Sequence, residues 1–341
     1  MDHRDIVVIA ASRGGISVLK ALVAQLDPGL PVALCIVLHI GRHRSVLPEL
    51  LSRWSPLKAS HAVHGEVLQT GRIYVAPPDR HMVLREGVLC LLDTATENFA
   101  RPAADPLFRS AAREYRARVV GVVLSGDLDD GSAGLAAIRA RGGYGVVQDP
   151  DDCEAPSMPR SALAAAGADA VARVEDLPQV LHAAVLGAKR REGESQMTTR
   201  PDLDREAQIG ESGLVSPQEL DEIGERSALT CPSCNGALWR MYDEHPLRYR
   251  CHTGHAFSAL SLEEAGARSA EDAMWGAIRA VHERMIFARE RQQWAQRAGQ
   301  EQEVVIEQAR IDENQKLADL LRNAVGAAIH GSATEHTEVQ R

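Results

Sequence analysis

The chain opens on a continuous apolar run, Ile6, Val7, Val8 and Ile9, that shortens into small residues and ends at Ser12. Arg13, Gly14 and Gly15 follow, and then Leu19, Leu22, Val23 and Leu26 return at helical spacing. β-branched residues in an unbroken run fit a strand buried on both faces, and the later period fits an amphipathic helix. The same alternation continues. Apolar runs at 31–40, 119–126 and 144–149 predict further strands, and helices are expected near 46–52, 104–118, 132–142, 158–166 and 176–186, with a brief strand near Ala170. Between 71 and 92 the pattern changes to a strand broken at Pro77-Pro78 and a hairpin turning at Glu86-Gly87. Strands alternating with helices predict an α/β fold: a doubly wound, mainly parallel sheet with helices on both faces.

Beyond residue 187 the pattern breaks. Residues 188–229 are polar and charged, and are expected to form a mostly disordered linker with a short helix near 217–225. A compact cysteine module is expected over 230–262 and a helical region over 263–330. In the latter, Met274, Ile278, Val281, Met285 and Ala288 form one apolar seam. A second helix over 301–327 would carry Leu317, Leu321, Ala324 and Ala328 on one side, so the two can form a helical hairpin, with the last ten residues frayed.

Composition narrows the class. With 341 residues the chain exceeds one ordinary core, and 45% hydrophobic with 25% charged residues is a globular balance. A net charge of -9 argues against a nucleic-acid partner held by bulk electrostatics. No apolar run reaches the roughly 20 residues that span a bilayer, and the N-terminus has no secretory apolar segment. A cytoplasmic protein without membrane insertion is expected. Cys35, Cys90 and Cys153 are scattered as core thiols would be, whereas Cys231, Cys234 and Cys251 cluster.

Reactive side chains fall at strand ends. Ser12, His39 and the Asp129/Asp130 pair each lie just past the carboxyl end of an expected parallel strand, the edge where open α/β sheets bind ligands. Serine, histidine and aspartate there can supply a nucleophile, its base and the group that orients the base. Each also has a plainer reading: a small-residue turn or phosphate cradle for Ser12, a core histidine for His39, a helix cap for Asp-Asp-Gly. Ala-Ala-Ser-Arg-Gly-Gly is not the G-x-S-x-G elbow.

The segments AASRGG, VLHIG, GRIYVAPPDRHMVL, RPAADPLFRSAA, VVLSGDLDDGSAGLAAI and QDPDDCEAPSMPRSAL decide between these readings. Residues 5–187 resemble the catalytic domain of the CheB-type chemotaxis-receptor methylesterases. The resemblance implies hydrolysis of glutamate methyl esters on receptor helices, and deamidation of receptor glutamines, without a cofactor. It places the nucleophile on Ser12, the base on His39 and the orienting carboxylate on Asp130. Ala10 departs from the family's first glycine, Arg13 replaces a small or hydroxylic residue, and Asp127 stands at a position implied to help form the oxyanion hole. A carboxylate there opposes developing negative charge unless it points away, and Arg13 is the group able to offset it or to grip an acidic substrate. The family often carries a phosphorylated receiver domain before this one; the first strand begins too early here for one to be expected.

Cys231-Pro-Ser-Cys234 followed by Cys251-His-Thr-Gly-His255 has the spacing of two zinc knuckles. Cys231, Cys234, Cys251 and His255 are the expected ligands of a structural Zn2+, with His252 the competitor for the fourth place and a redox C-x-x-C pair the alternative. The C-terminal region offers a surface for a signalling partner or for self-association. Two functional readings follow: a serine esterase acting on a methylated chemoreceptor-like protein, or a catalytically decayed esterase-fold adaptor that scaffolds a signalling complex. A nucleotide-binding reading lacks G-x-G-x-x-G.

Overall fold

The computed structural model describes residues 3–39, 45–187, 201–213, 215–242 and 246–338. The chain divides into two compact units, Met1–Leu262 and Glu263–Arg341. The first begins β1 (Ile6–Ala11), α1 (Gly15–Ala24), β2 (Ala33–Leu38), α2 (Leu47–Trp54), β3 (Lys58–His61), β4 (Arg72–Val75), β5 (His81–Arg85), β6 (Val88–Leu92) and α3 (Ala104–Tyr115). It continues β7 (Val119–Val123), α4 (Ser132–Ala140), β8 (Tyr144–Gln148), α5 (Ser157–Ala166), β9 (Ala170–Ala172) and α6 (Leu177–Leu186).

Seven strands form one parallel sheet in the order β3-β4-β2-β1-β7-β8-β9. Every residue of β1 is buried, and the pleat divides them between two cores. Val7, Ile9 and Ala11 pack with Leu19 and Leu22 of α1 and Leu181 of α6. Ile6, Val8 and Ala10 pack on the other face with Phe108 of α3, Leu135 of α4 and Ala162 of α5. This is the doubly wound fold that the apolar runs predict. β5 and β6 pair as a separate antiparallel hairpin through Glu86 and Gly87, both at positive φ. β3 escapes the sequence reading because Lys-Ala-Ser-His at a sheet edge carries no apolar run.

The expected linker is largely folded. Residues 188–200 lie outside the described residues, but α7 (Pro201–Ser212), α8 (Pro217–Ile223) and β10 (Gly224–Thr230) follow them. Ser216 and Glu219 form a capping box at the start of α8. Ile209, Val215, Leu220 and Ile223 bury themselves with Trp239 and Met241. The charges that suggested a solvated segment have distant partners instead: Asp204 meets Arg141 at 2.7 Å and Glu211 meets Arg113 at 2.7 Å. Pairing across such sequence separation leaves no local signal. β10 joins β11 (Ala237–Met241), β12 (Arg248–Cys251) and β13 (Ala256–Ser258) in a four-stranded antiparallel sheet around the cysteines.

The second unit contains most of α9 (Ala259–Arg297) and all of α10 (Glu301–Glu338). Ile278, Val281, Met285 and Ala288 are buried as expected. On α10 the buried stripe is Glu307, Ile311, Asn314, Ala318 and Val325, while Leu317 and Ala324 face solvent. The stripe steps by four and three but includes two polar residues, so an apolar search selects the wrong side. Arg291 pairs with Glu307 at 2.9 Å and Gln292 donates to Gln308 at 2.8 Å, closing the hairpin.

Candidate active site and cysteine cluster

Ser12 follows β1, His39 follows β2, and Asp129 and Asp130 lie on the loop after β7. β1 stands between β2 and β7. The chain leaves it one way toward β3 and the other way toward β9, so the crevice at the strand ends is the topological switch point.

Local chemistry fixes the Ser12 turn. Ser12 N–H donates to Ser125 O at 2.9 Å and Gly15 N–H to Ser12 O at 2.9 Å. Gly14 has φ +78°, and a Cβ there would approach Glu154 Cβ and Ser125 Oγ to 2.7 Å, so glycine is required twice over. Ser125 Oγ donates to Arg13 O at 2.8 Å, and its N–H is held by Gln148 Oε1 at 2.9 Å. Ser125 and the buried Gln148 therefore brace the turn, a role that no spacing in the sequence announces.

His39 Nε2 lies 2.8 Å from Asp130 Oδ2. The same oxygen accepts the Ala104 N–H at 2.6 Å, while Oδ1 accepts Asp105 N–H at 3.2 Å and Asn98 Nδ2 at 3.3 Å. Asp130 thus supplies from another loop the cap that α3 lacks at Ala103. Burial alone would raise the Asp130 carboxyl, but His39 and the two helix N–H groups outweigh it and hold the group below its ordinary range. Its neighbours go the other way. Burial, reinforced by Asp130, pushes Asp105 up to about 8, and burial pushes Asp129 up to about 6 against a bond from Ser258. The geometry distinguishes the adjacent aspartates: Asp130 meets His39, whereas Asp129 accepts from Ser258 Oγ at 2.7 Å.

Ser12, Arg13, Gly14, Leu38, His39 and Glu154 line one open cleft of about 420 Å3. Ser12 and His39 share it, but among the described residues no hydrogen bond joins the serine hydroxyl to the ring. Arg13 grips Asp127 in a two-pronged ion pair, Nε to Oδ2 at 2.8 Å and the second nitrogen to Oδ1 at 2.6 Å. That hydrogen bond lowers the Asp127 carboxyl. Two of the three departures from the family pattern, Arg13 and Asp127, are thus partners. The N–H groups of Arg13 and Gly14, just before α1, make no bond to a described residue.

In the cysteine module, one ligand atom each from Cys231, Cys234, Cys251 and His255 lies within 4.8 Å of the others. His255 Nδ1 is 3.5 Å from Cys251 Sγ and is the histidine of this group. Thr253 Oγ1 lies 3.1 Å from Cys234 Sγ and 3.0 Å from Cys251 Sγ. The hydrogen bond between the Cys231 and Cys251 side chains holds the first thiol above and the second below the ordinary thiol range. Three sulfurs and an imidazole converging in this way suit a soft, tetrahedral metal ion.

Residues 7–181 match the family model described as CheB methylesterase. A protein-glutamate methylesterase/protein-glutamine glutaminase of Anaeromyxobacter dehalogenans is 38% identical over 178 residues, 52% of this chain and 52% of the relative. A Leptospira interrogans protein named for the same two activities is 34% identical over 176 residues, 51% of this chain and 91% of its own length. The crystal structure of the Thermotoga maritima CheB methylesterase catalytic domain superposes with a TM-score of 0.50 at 29% identity, covering 52% of this chain and 97% of that one. The chain spans about half the length of the Anaeromyxobacter relative. The seven-stranded parallel sheet, the strand-end serine and histidine, and a match over half the sequence all lead to one placement: the chain belongs to the CheB methylesterase family.

Proposed function

We propose that this protein is a serine esterase that hydrolyses glutamate methyl esters, and deamidates glutamines, on chemoreceptor-like signalling proteins. The observation that carries the reading is the 2.8 Å bond from His39 to a buried Asp130 beside the cleft that Ser12 lines. Asp130 engages Nε2, which fixes the proton there and leaves Nδ1 to act as base. Ser12 Oγ attacks the ester carbonyl carbon as its proton passes to His39. The oxyanion that forms is met by N–H groups at the start of α1. Collapse expels methanol, which takes the proton back from His39; from a glutamine side chain the leaving group is ammonia. Water, giving a proton to His39, then cleaves the acyl-enzyme to glutamate and restores Ser12. Apo geometry commonly leaves the nucleophile–base bond unmade until substrate arrives.

The hydrolytic step is assigned to residues 5–187, a structural Zn2+ to Cys231, Cys234, Cys251 and His255, and partner binding or self-association to 263–330. Exposed Phe287 and Trp294 on α9 support the last assignment. A cytoplasmic setting fits the chemistry, and among the described residues no helix is long and apolar enough to cross a membrane. Methanol release from a methylated receptor fragment tests the reading: Ser12→Ala should lower it by at least about 1,000-fold with the fold intact. Full activity in that variant would end the assignment and favour the adaptor. Metal analysis of protein purified without chelator should find one zinc per chain, and none would refute the site.

A further inference from the structure

Asn98 is the point where the cysteine module touches the hydrolytic site. Its Nδ2 donates to Asp130 Oδ1 at 3.3 Å and to Asp105 Oδ2 at 3.2 Å. Its Oδ1 accepts from the backbone N–H of Ser258 at 2.9 Å and from Ser261 Oγ at 3.1 Å. Asp130, held in its ionised form, can only accept and the Ser258 N–H can only donate, so the amide has one workable orientation, and in it every hydrogen-bonding capacity is used. Ser258 also reaches Asp129, the residue next to Asp130.

The backbone beneath Asn98 is strained. Asn98 and Phe99 have φ +48° and +60°, an accessible value for asparagine and a costly one for phenylalanine. Such a conformation persists only where the surroundings over-determine it, and here the module does so. Phe99 packs on Phe257 with ring centroids 4.9 Å apart, and Asn98 N–H donates to Ala256 O at 2.9 Å. Glu97, one residue earlier, is gripped by Arg109 of α3 and by the fully buried Arg250 of β12. The module lies outside the 7–181 segment that matches the family model, yet it supplies most of what holds this loop.

We propose that Asn98 is a positioning residue for Asp130 and that the cysteine module sets it, through Ser258 at the end of β13 and Ser261 in the first turn of α9. The module is then a working part of the hydrolytic site. It keeps the loop strained so that the amide stays on the carboxylate, and the carboxylate stays on His39. Asn98 touches no substrate, and its influence passes through Asp130. This inference rests on the esterase reading above.

The test uses the full chain and four variants: Asn98→Ala, Ser261→Ala, the two together, and Ser12→Ala. Methanol release from a methylated receptor fragment gives kcat and KM, and amide hydrogen exchange is followed across 97–105. Asn98→Ala should lower kcat about tenfold or more while KM stays within about twofold, because only the orientation of the base is disturbed. Ser261→Ala should lower kcat in the native background and add nothing once Asn98 is gone, since residues acting in series are not additive. Exchange at Ala104 and Asp105 should quicken in both. Unchanged kcat in Asn98→Ala, or a serine effect that persists undiminished in its absence, would overturn the proposal. Ser12→Ala retaining turnover would instead refute the esterase reading, leaving the exchange data to judge the positioning on their own.

Discussion

Replacing Asp130 with asparagine should separate the carboxylate's charge from its hydrogen-bonding role. Each oxygen serves two donors: Oδ2 takes His39 at 2.8 Å and Ala104 N–H at 2.6 Å, and Oδ1 takes Asp105 N–H at 3.2 Å and Asn98 at 3.3 Å. An amide nitrogen can replace only one oxygen, and it will face the longer pair because those bonds are weaker. Two donors are then unsatisfied, each costing about 1–3 kcal/mol, so the compact unit should lose about 2–6 kcal/mol. The amide oxygen remains on His39, so the imidazole keeps its tautomer but loses the anion that stabilises its charged form. A charge-assisted bond becoming neutral forfeits roughly 2–3 kcal/mol, which is a fall in kcat of about 30- to 150-fold. Had the amide turned the other way, the wrong tautomer would cost about 10,000-fold. Methanol release and urea denaturation of wild type and Asp130→Asn give both quantities. A kcat within about threefold of wild type would remove Asp130 from the mechanism, and a loss near 10,000-fold with unchanged stability would refute the orientation argument.

Arg13 and Asp127 should show effects of opposite sign. Asp127→Ala unmasks a cation beside the cleft and should raise kcat/KM severalfold, Arg13→Ala unmasks a carboxylate and should lower it, and both should shrink in high salt; equal signs would dispose of the pairing as an electrostatic device. Stability should fall as pH rises from 6.5 to 8.5. Asp105, raised in the folded state to about 8, holds a proton there that the unfolded chain has released, and the slope is at most about 1.4 kcal/mol per pH unit; a flat profile, or one unaltered by Asp105→Asn, would refute it. Below about pH 4.5 the sign reverses, because Glu97 is held down to about 2 and its stabilisation is lost on protonation. Arg250→Met should cost about 3–5 kcal/mol by uncovering buried carboxylate oxygens of Glu97 and Glu206, measured by urea denaturation, and a loss under about 1 kcal/mol would contradict the ledger of partners.

What the sequence makes legible follows from range. Ile6 to Ile9, Val119 to Val123 and the turn glycines act within a few residues, so the parallel sheet and its serine-bearing turn can be read from local pattern. His39 and Asp130 are also legible, because strand ends in such a sheet share one edge. Contacts between distant residues are not. Nothing near Glu206 announces Arg248, and nothing near Asn98 announces Ser258, yet these pairs turn an expected linker and an expected appendage into parts of the first compact unit. The second helix of the hairpin fails for a different reason: Glu307 and Asn314 occupy buried positions, which a search for apolar residues passes over.

The buried charges at the module's seam argue for placement over stability. Glu97, Glu206, Arg109, Arg248 and Arg250 are all nearly inaccessible to solvent. Well-packed apolar side chains of like volume commonly stabilise as much or more than such a network. An apolar seam, however, tolerates sliding, whereas a guanidinium fork fits a carboxylate in few positions. Glu97 takes one bond from Arg109 of α3, which packs on the parallel sheet, and another from Arg250 of the module, and Asn98 is the next residue along the chain. The ion network therefore fixes the register of the loop that presents Asn98 to Asp130. A seam that bound equally well but allowed a shift of an ångström would keep the protein folded and loosen His39 from Asp130, and that difference gives the desolvated charges a physical reason to be there.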